Sequence, residues 1–186
     1  MIRLLSRRKR TCDGATRREA LVAGGLSLFG MTVPDALKLA KAVEGMNIMW
    51  LEDMITGDYT PYVLADLYKQ VTPYTTTPIH TGEQIYLRQN FVELIETSAV
   101  NILGPDPADV GGLAEMKFIA EYADLHGIMF APHGRFDGLI GLAAHVQLAA
   151  SLPDNYIAFE LPNGDPDCRS PQFVRVNLFS SELTCA

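Results

Sequence analysis

Several familiar signatures are missing from this 186-residue sequence. Its three cysteines, Cys12, Cys168 and Cys185, lie far apart with no CxxC pair. That spacing excludes a cysteine zinc site and sets no disulfide framework. No glycine-rich GxGxxG or GxxxxGK loop follows any apolar run, which argues against a phosphate-cradling nucleotide site. No apolar run reaches the ~20 residues that span a bilayer. Positive charge is scarce beyond residue 30. Arg3, Arg7, Arg8, Lys9, Arg10, Arg17 and Arg18 precede it, leaving eight basic against twenty acidic residues in the remainder. An acidic body is unsuited to nucleic acid, whose phosphates need a basic face, and suited to a divalent cation. The hydrophobic share of 48% is enough for the core of one domain.

The basic cluster Arg7 to Arg10 precedes Thr16-Arg17-Arg18-Glu19-Ala20-Leu21, which opens a short apolar run through Phe29. A charged segment leading into a short apolar one is an export-signal pattern, and the paired arginines resemble the twin-arginine type. Residues 1–30 are therefore expected to form a leader outside the fold. The alternative is a basic extension with no addressing role.

From residue 31 onward helical and strand patterns alternate. Thr32-Val33-Pro34-Asp35 is a helix start, with Thr32 as N-cap and proline in the first turn. Leu37, Leu39, Ala40 and Val43 give its apolar face. Strands are expected at Ile48–Leu51, Ile79–Thr81, Val100–Leu103, Ile128–Ala131 and Tyr156–Phe159. Helices are expected over Tyr59–Val71, between Arg88 and Thr97, over Leu113–His126 with Gly127 closing it, and over Leu139–Leu152. Strict alternation predicts a parallel α/β fold. Ionisable groups at several strand ends favour a partial (β/α) TIM-type barrel of about five βα units over a doubly wound sheet. Its expected extent is 31–162, followed by an irregular tail at 163–186. Five units do not close an eight-stranded barrel, so a homo-oligomer or a complementary barrel half is the expected partner.

The strand ends carry the chemistry. Glu52 and Glu83 end neighbouring strands, and close carboxylates are costly unless a cation neutralises them; oxygen ligands of this kind suit Mg²⁺. The plainer reading is that they are solvated loop carboxylates. His133 follows Ala131-Pro132, and Asp106 lies at the strand end between. Aspartate beside histidine fixes an imidazole tautomer and raises its basicity, as a general base requires. Glu160 ends the last strand and is placed to act as an acid or hydrogen-bond donor. His80 is placed to point into the barrel mouth. His126 at a helix end is read as structural, and His145 in the alanine-rich helix as surface or packing.

In order along the chain come Thr32-Val33-Pro34-Asp35-Ala36, Trp50-Leu51-Glu52-Asp53 and Thr81-Gly82-Glu83-Gln84. Pro105-Asp106, Val110-Gly111-Gly112-Leu113-Ala114-Glu115 and Ala131-Pro132-His133 follow. This text resembles the later part of the barrel domain of the enolase superfamily, in its mandelate racemase and muconate-lactonising branch, especially the sugar-acid dehydratases. The resemblance implies that Glu52 and Glu83 are the second and third ligands of Mg²⁺. It implies that His133 is the general base or acid with Asp106 as its dyad partner, and that Glu160 assists the enolate oxygen. The substrate is then a small carboxylate or sugar acid. The implied reaction removes the proton α to the carboxylate, with loss of a β-hydroxyl in dehydratases or reprotonation in racemases.

The pattern also departs from that family. The family's first metal ligand, an aspartate, falls at Gly25, and Lys38 and Lys41 do not reproduce its paired-lysine base. No counterpart of the capping domain is found. Whether the chain is an enzyme therefore stays open between a Mg²⁺-dependent dehydratase or racemase, a remnant without turnover, and an exported binder of a cation. The leader points to export, whereas the family body is typical of cytoplasmic enzymes.

Overall fold

Four short parallel strands, each preceded by helical structure, form the centre of the computed structural model, which describes residues 31–55, 63–134, 138–161, 172–175 and 184–185. The expected leader, with Gly25, lies outside the described residues. Helix α1 (Val33–Val43) begins at Thr32 with proline in the first turn, and the Thr32 hydroxyl donates to Asp35 Oδ2 at 2.7 Å. Its buried positions are Ala36, Ala40 and Val43, a stripe at i, i+4 and i+7 that faces the sheet. Leu37 and Leu39, at the edges of that stripe, are only partly buried.

Strand β1 (Leu51–Glu52) leads to α2 (Ala65–Tyr68) and a 3-10 turn at Thr72–Tyr74. Pro73 has no N–H for a further α-helical bond, which accounts for the turn closing the helix short of Val71. Strand β2 (Ile79–Thr81) is followed by a 3-10 turn at Arg88–Asn90 and α3 (Val92–Glu96). Strand β3 (Ile102–Leu103), α4 (Leu113–Leu125), β4 (Met129–Phe130) and α5 (Gly138–Ala149) complete the parallel part. Helix α4 ends in a Schellman motif. Gly127 at φ 70° lets Ile128 N–H reach Ala123 O and its own N–H reach Asp124 O, both at 3.0 Å.

The sheet order is β1-β2-β3-β4, with Glu52 opposite His80, Thr81 opposite Leu103, and Leu103 opposite Phe130. Ile79, Leu103 and Phe130 from the strands meet Tyr68, Leu94, Met116 and Ile119 from the helices in one fully buried core. An α/β fold with a parallel sheet is what the alternating pattern predicted.

The fifth strand differs. Residues 155–157 run parallel to β4 through a Phe130–Tyr156 bridge, with Ile157 N–H on Phe130 O at 2.9 Å. The strand proper, β5 (Phe159–Leu161), begins later and pairs antiparallel with β6 (Gln172–Arg175), which pairs with β7 (Thr184–Cys185). The segment after residue 162, expected to be irregular, therefore contributes two strands.

Candidate active site

Every ionisable group singled out at a strand end comes to the C-terminal edge of the parallel sheet. Asp106 lies just after β3 and is completely buried. Its Oδ1 accepts the backbone N–H groups of Ala108 at 2.7 Å and Asp109 at 3.2 Å, and its Oδ2 lies 2.8 Å from His133 Nδ1. An ionised carboxylate accepts only, so Nδ1 carries the proton and Nε2 points the other way. Nε2 lies 3.1 Å from Glu83 Oε2 and 3.2 Å from Glu160 Oε2. His133 is thus enclosed by three carboxylates from three strand ends.

The electrostatics follow from that enclosure. Burial on its own pushes the His133 imidazole down. The Asp106 hydrogen bond and the charges of Glu83, Glu160 and Asp106 outweigh burial and raise it to about 9. Glu160 is pushed above the usual carboxylate range, first by burial and against the pull of His133; its Oε2 also accepts the Gly134 N–H at 3.4 Å.

A second cluster shares Glu83. Glu52, Asp53 and Glu83 each offer one carboxylate oxygen, all within 4.8 Å of one another. Trp50 Nε1–H donates to Glu52 Oε2 at 3.0 Å. Tyr68 hydroxyl donates to Thr81 Oγ1 at 3.1 Å, and the Thr81 hydroxyl donates to Asp53 Oδ1 at 2.7 Å. Gly82, at φ 138°, leaves little room for a side chain, because a Cβ there would lie 3.1 Å from Pro105 N. That close approach brings the strand end carrying Glu83 up to the one carrying Asp106. Trp50, Glu52, His80, Pro132, His133 and Glu160 line the small pocket between the clusters.

Asp53 has no role in the sequence reading, because adjacent strand residues point to opposite faces and Glu52 already claims the rim. Its backbone at φ 45° breaks that alternation and turns both carboxylates to one side. The consecutive acidic pair is its only trace in the sequence. Nor does the sequence show the support given to Glu52 by Trp50. His80, expected to point into the mouth, lines the pocket there with its ring buried, 2% exposed. His145 packs beside Phe159 at 5.8 Å between ring centres, and His126 stands edge-on to Tyr122.

A family model described as enolase C-terminal domain-like matches residues 28–178. The chain is 38% identical over 132 residues to a D-xylonate dehydratase of Haloferax volcanii, covering 71% of this chain and 30% of that protein. It is 32% identical over 125 residues to a D-galactarolactone cycloisomerase of Agrobacterium fabrum, covering 67% and 32%. Among solved structures, a mandelate racemase/muconate lactonizing enzyme-like protein from Rubrobacter xylanophilus is 36% identical with a TM-score of 0.61, covering 68% and 30%. The chain spans about a third of the length of the relatives it matches.

Proposed function

This chain belongs to the enolase C-terminal domain-like family, and from that premise we propose that it is the barrel portion of an acid-sugar dehydratase or racemase that removes the proton α to a substrate carboxylate. The observation that supports this reading is His133, held by Asp106 on one nitrogen and aimed by the other at Glu83 and Glu160 beside the acidic cluster. The parallel strands β1 to β4 are then part of a (β/α) TIM-type barrel, with the site at its C-terminal rim as barrel enzymes have it. The barrel portion is proposed to cover at least 31–162, with the family match reaching residue 178, and residues 1–30 to be a twin-arginine-like leader.

The donor set fits Mg²⁺. Glu52, Asp53 and Glu83 supply oxygen only, from atoms all within 4.8 Å of one another, and hard oxygen donors are what this ion takes. Bound there, Mg²⁺ would polarise the substrate carboxylate and stabilise the negative charge that develops on it.

The chain's own residues handle the proton. Asp106 fixes the tautomer of His133, so that Nε2 is the atom that exchanges a proton with substrate. With the carboxylates around it uncompensated, His133 holds its proton at neutral pH and is set to donate to a departing hydroxyl. It acts as a base once the charge of Glu83 is offset. Glu160, raised by burial, is suited to donate a hydrogen bond to the enolate oxygen.

The test incubates the full chain with Mg²⁺ and a panel of acid sugars in deuterated water, following loss of the α-proton signal and formation of dehydrated product. Exchange is expected to fall by about 10²–10⁴-fold in His133→Asn, the range for losing a positioned acid or base. Exchange that is unaffected by His133→Asn would overturn the reading. A second reading, a barrel portion that keeps the fold without turnover, draws on the share of the relatives that the chain spans. Mg²⁺ binding without any exchange would favour it.

A further inference from the structure

The loop that carries Glu83 is tied down a second time, away from the acidic groups. It leaves β2 at Gly82 and ends in the 3-10 turn at Arg88–Asn90. There Arg88 meets Glu115, in the first turn of α4. We propose that Arg88 is a positioning residue, latched onto Glu115 so that the loop presents the Glu83 carboxylate between His133 and the Glu52–Asp53 pair. The proposal rests on the reading of Glu83 as an active-site carboxylate.

The latch uses both the side chain and the backbone of Arg88. Its Nε–H reaches both oxygens of Glu115, Oε1 at 2.8 Å and Oε2 at 2.9 Å, and Nη2 donates to Oε1 as well. The Arg88 main-chain N–H donates to Oε2 at 2.9 Å. The guanidinium also lies over the Phe118 ring, 4.3 Å from its centre. Exposed ion pairs in general contribute little, and the exception is a fork-like contact in fixed geometry. Here the two side chains are 38% and 18% exposed, and the backbone bond and the aromatic ring fix the fork in place.

The backbone of the loop shows what the latch holds. Leu87, next to Arg88, sits at φ 63° and ψ 142°, a conformation that residues with a side chain rarely adopt. Strain of that kind persists only where surrounding contacts impose it. The Leu87 N–H donates to Val110 O at 2.9 Å. Gly111 provides the room, since a Cβ there would lie 3.1 Å from Glu115 Cγ and 3.3 Å from Leu87 Cδ2. The loop carrying Glu83 is thus drawn onto the segment that follows Asp106. Nearer to Glu83, Ile85 is fully buried and its N–H donates to Gly82 O at 3.1 Å. Glu83 therefore stands on a short span fixed at both ends, with Oε2 3.1 Å from His133 Nε2. The Gln84 amide on Glu83 Oε1, at 3.1 Å, belongs to the same span and moves with it, so it does not hold Glu83 independently.

The experiment compares wild type with Arg88→Met, which keeps an unbranched side chain and loses the fork. Two readouts on the ¹⁵N-labelled full chain follow Glu83 rather than stability. One is Mn²⁺ binding, from free Mn²⁺ by electron paramagnetic resonance. The other, without metal, is the set of His133 ring signals by nuclear magnetic resonance, assigned by their loss in His133→Asn. Glu83→Gln sets the scale and should weaken Mn²⁺ binding and move the His133 signals. Arg88→Met should weaken Mn²⁺ binding by about 10-fold, as loss of support behind a metal ligand does, and move the His133 signals toward those of Glu83→Gln. Arg88→Lys, which has the charge without the planar fork, should recover only part of the change. Tyr122→Phe removes a different tie of α4, the Tyr122 hydroxyl on Glu96 Oε1 at 2.7 Å, and should leave both readouts at wild type. Either readout staying at wild type in folded Arg88→Met, while Glu83→Gln moves it, overturns the latch, and so does an equal change in Tyr122→Phe. If wild type binds no Mn²⁺, the cation reading of Glu83 fails, and the His133 signals alone decide. Circular dichroism checks each fold, and Glu115→Gln replaces Arg88→Met under the same readouts if the latter does not fold.

Discussion

At His133, one imidazole stands among the carboxylates of Asp106, Glu83 and Glu160, and its proton is held by their combined charge. The consequence for stability has a definite sign. The group titrates at about 9 in the fold, against about 6.5 in an unfolded chain. Its stabilising contribution is therefore fully present below about pH 6.5 and is lost as the pH rises through about 9. Denaturant titrations of the metal-free chain across that window should show stability falling with pH. His133→Asn should flatten that part of the profile, and an equally steep fall in the variant would remove His133 as the cause. At this scale the sequence was informative about which groups gather at the strand ends. Glu52, Glu83, Asp106, His133 and Glu160 all stand where strand ends place them. Asp53 was not legible, because its position depends on a backbone torsion that an acidic side chain does not announce.

The helices were legible where local chemistry sets their ends. Thr32-Val33-Pro34 starts α1, and Gly127 closes α4 through a left-handed turn. Gly127→Ala keeps the space but forces a Cβ into that conformation. Thermal or urea unfolding should show a loss of about 1–2 kcal/mol; no loss would mean that the Schellman closure contributes little. The strands were less legible in extent. Expected runs of three or four residues shrink to pairs such as Ile102–Leu103, because ladder partners on both sides decide where pairing stops. Tyr156–Phe159 shifted for the same reason: its later residues find an antiparallel partner in β6. No periodicity within residues 156–159 encodes a partner that lies beyond residue 171.

Across the described residues, the larger core joins strands and helices, with Phe130 wholly buried in it, and a smaller one gathers Trp50, Ile102 and Ala131. Phe130→Ala should cost about 3–5 kcal/mol, the range for removing a buried aromatic ring, and calorimetry or denaturant unfolding checks it. Phe130 and Ala131 stand beside the loop that carries His133, so the same variant should also disturb α-proton exchange. Among the described residues no helix is long and apolar enough to cross a membrane. The charge balance gave a coarser view at this scale, pointing to an acidic body suited to a cation and unsuited to nucleic acid.

By itself the sequence determined the alternation of helix and strand, the family resemblance, and the ionisable groups that end the strands. Those features are local: caps, apolar periodicity and residue identity act over a few positions. Tertiary structure decided what those groups do to one another. Parallel register set Glu52 against His80, the bare backbone of Gly104 admitted the imidazole, and the close approach at Gly82 drew two strand ends together. Only that convergence puts three carboxylates around one histidine. Coulomb interactions depend on distance through space, which separation along the chain does not record.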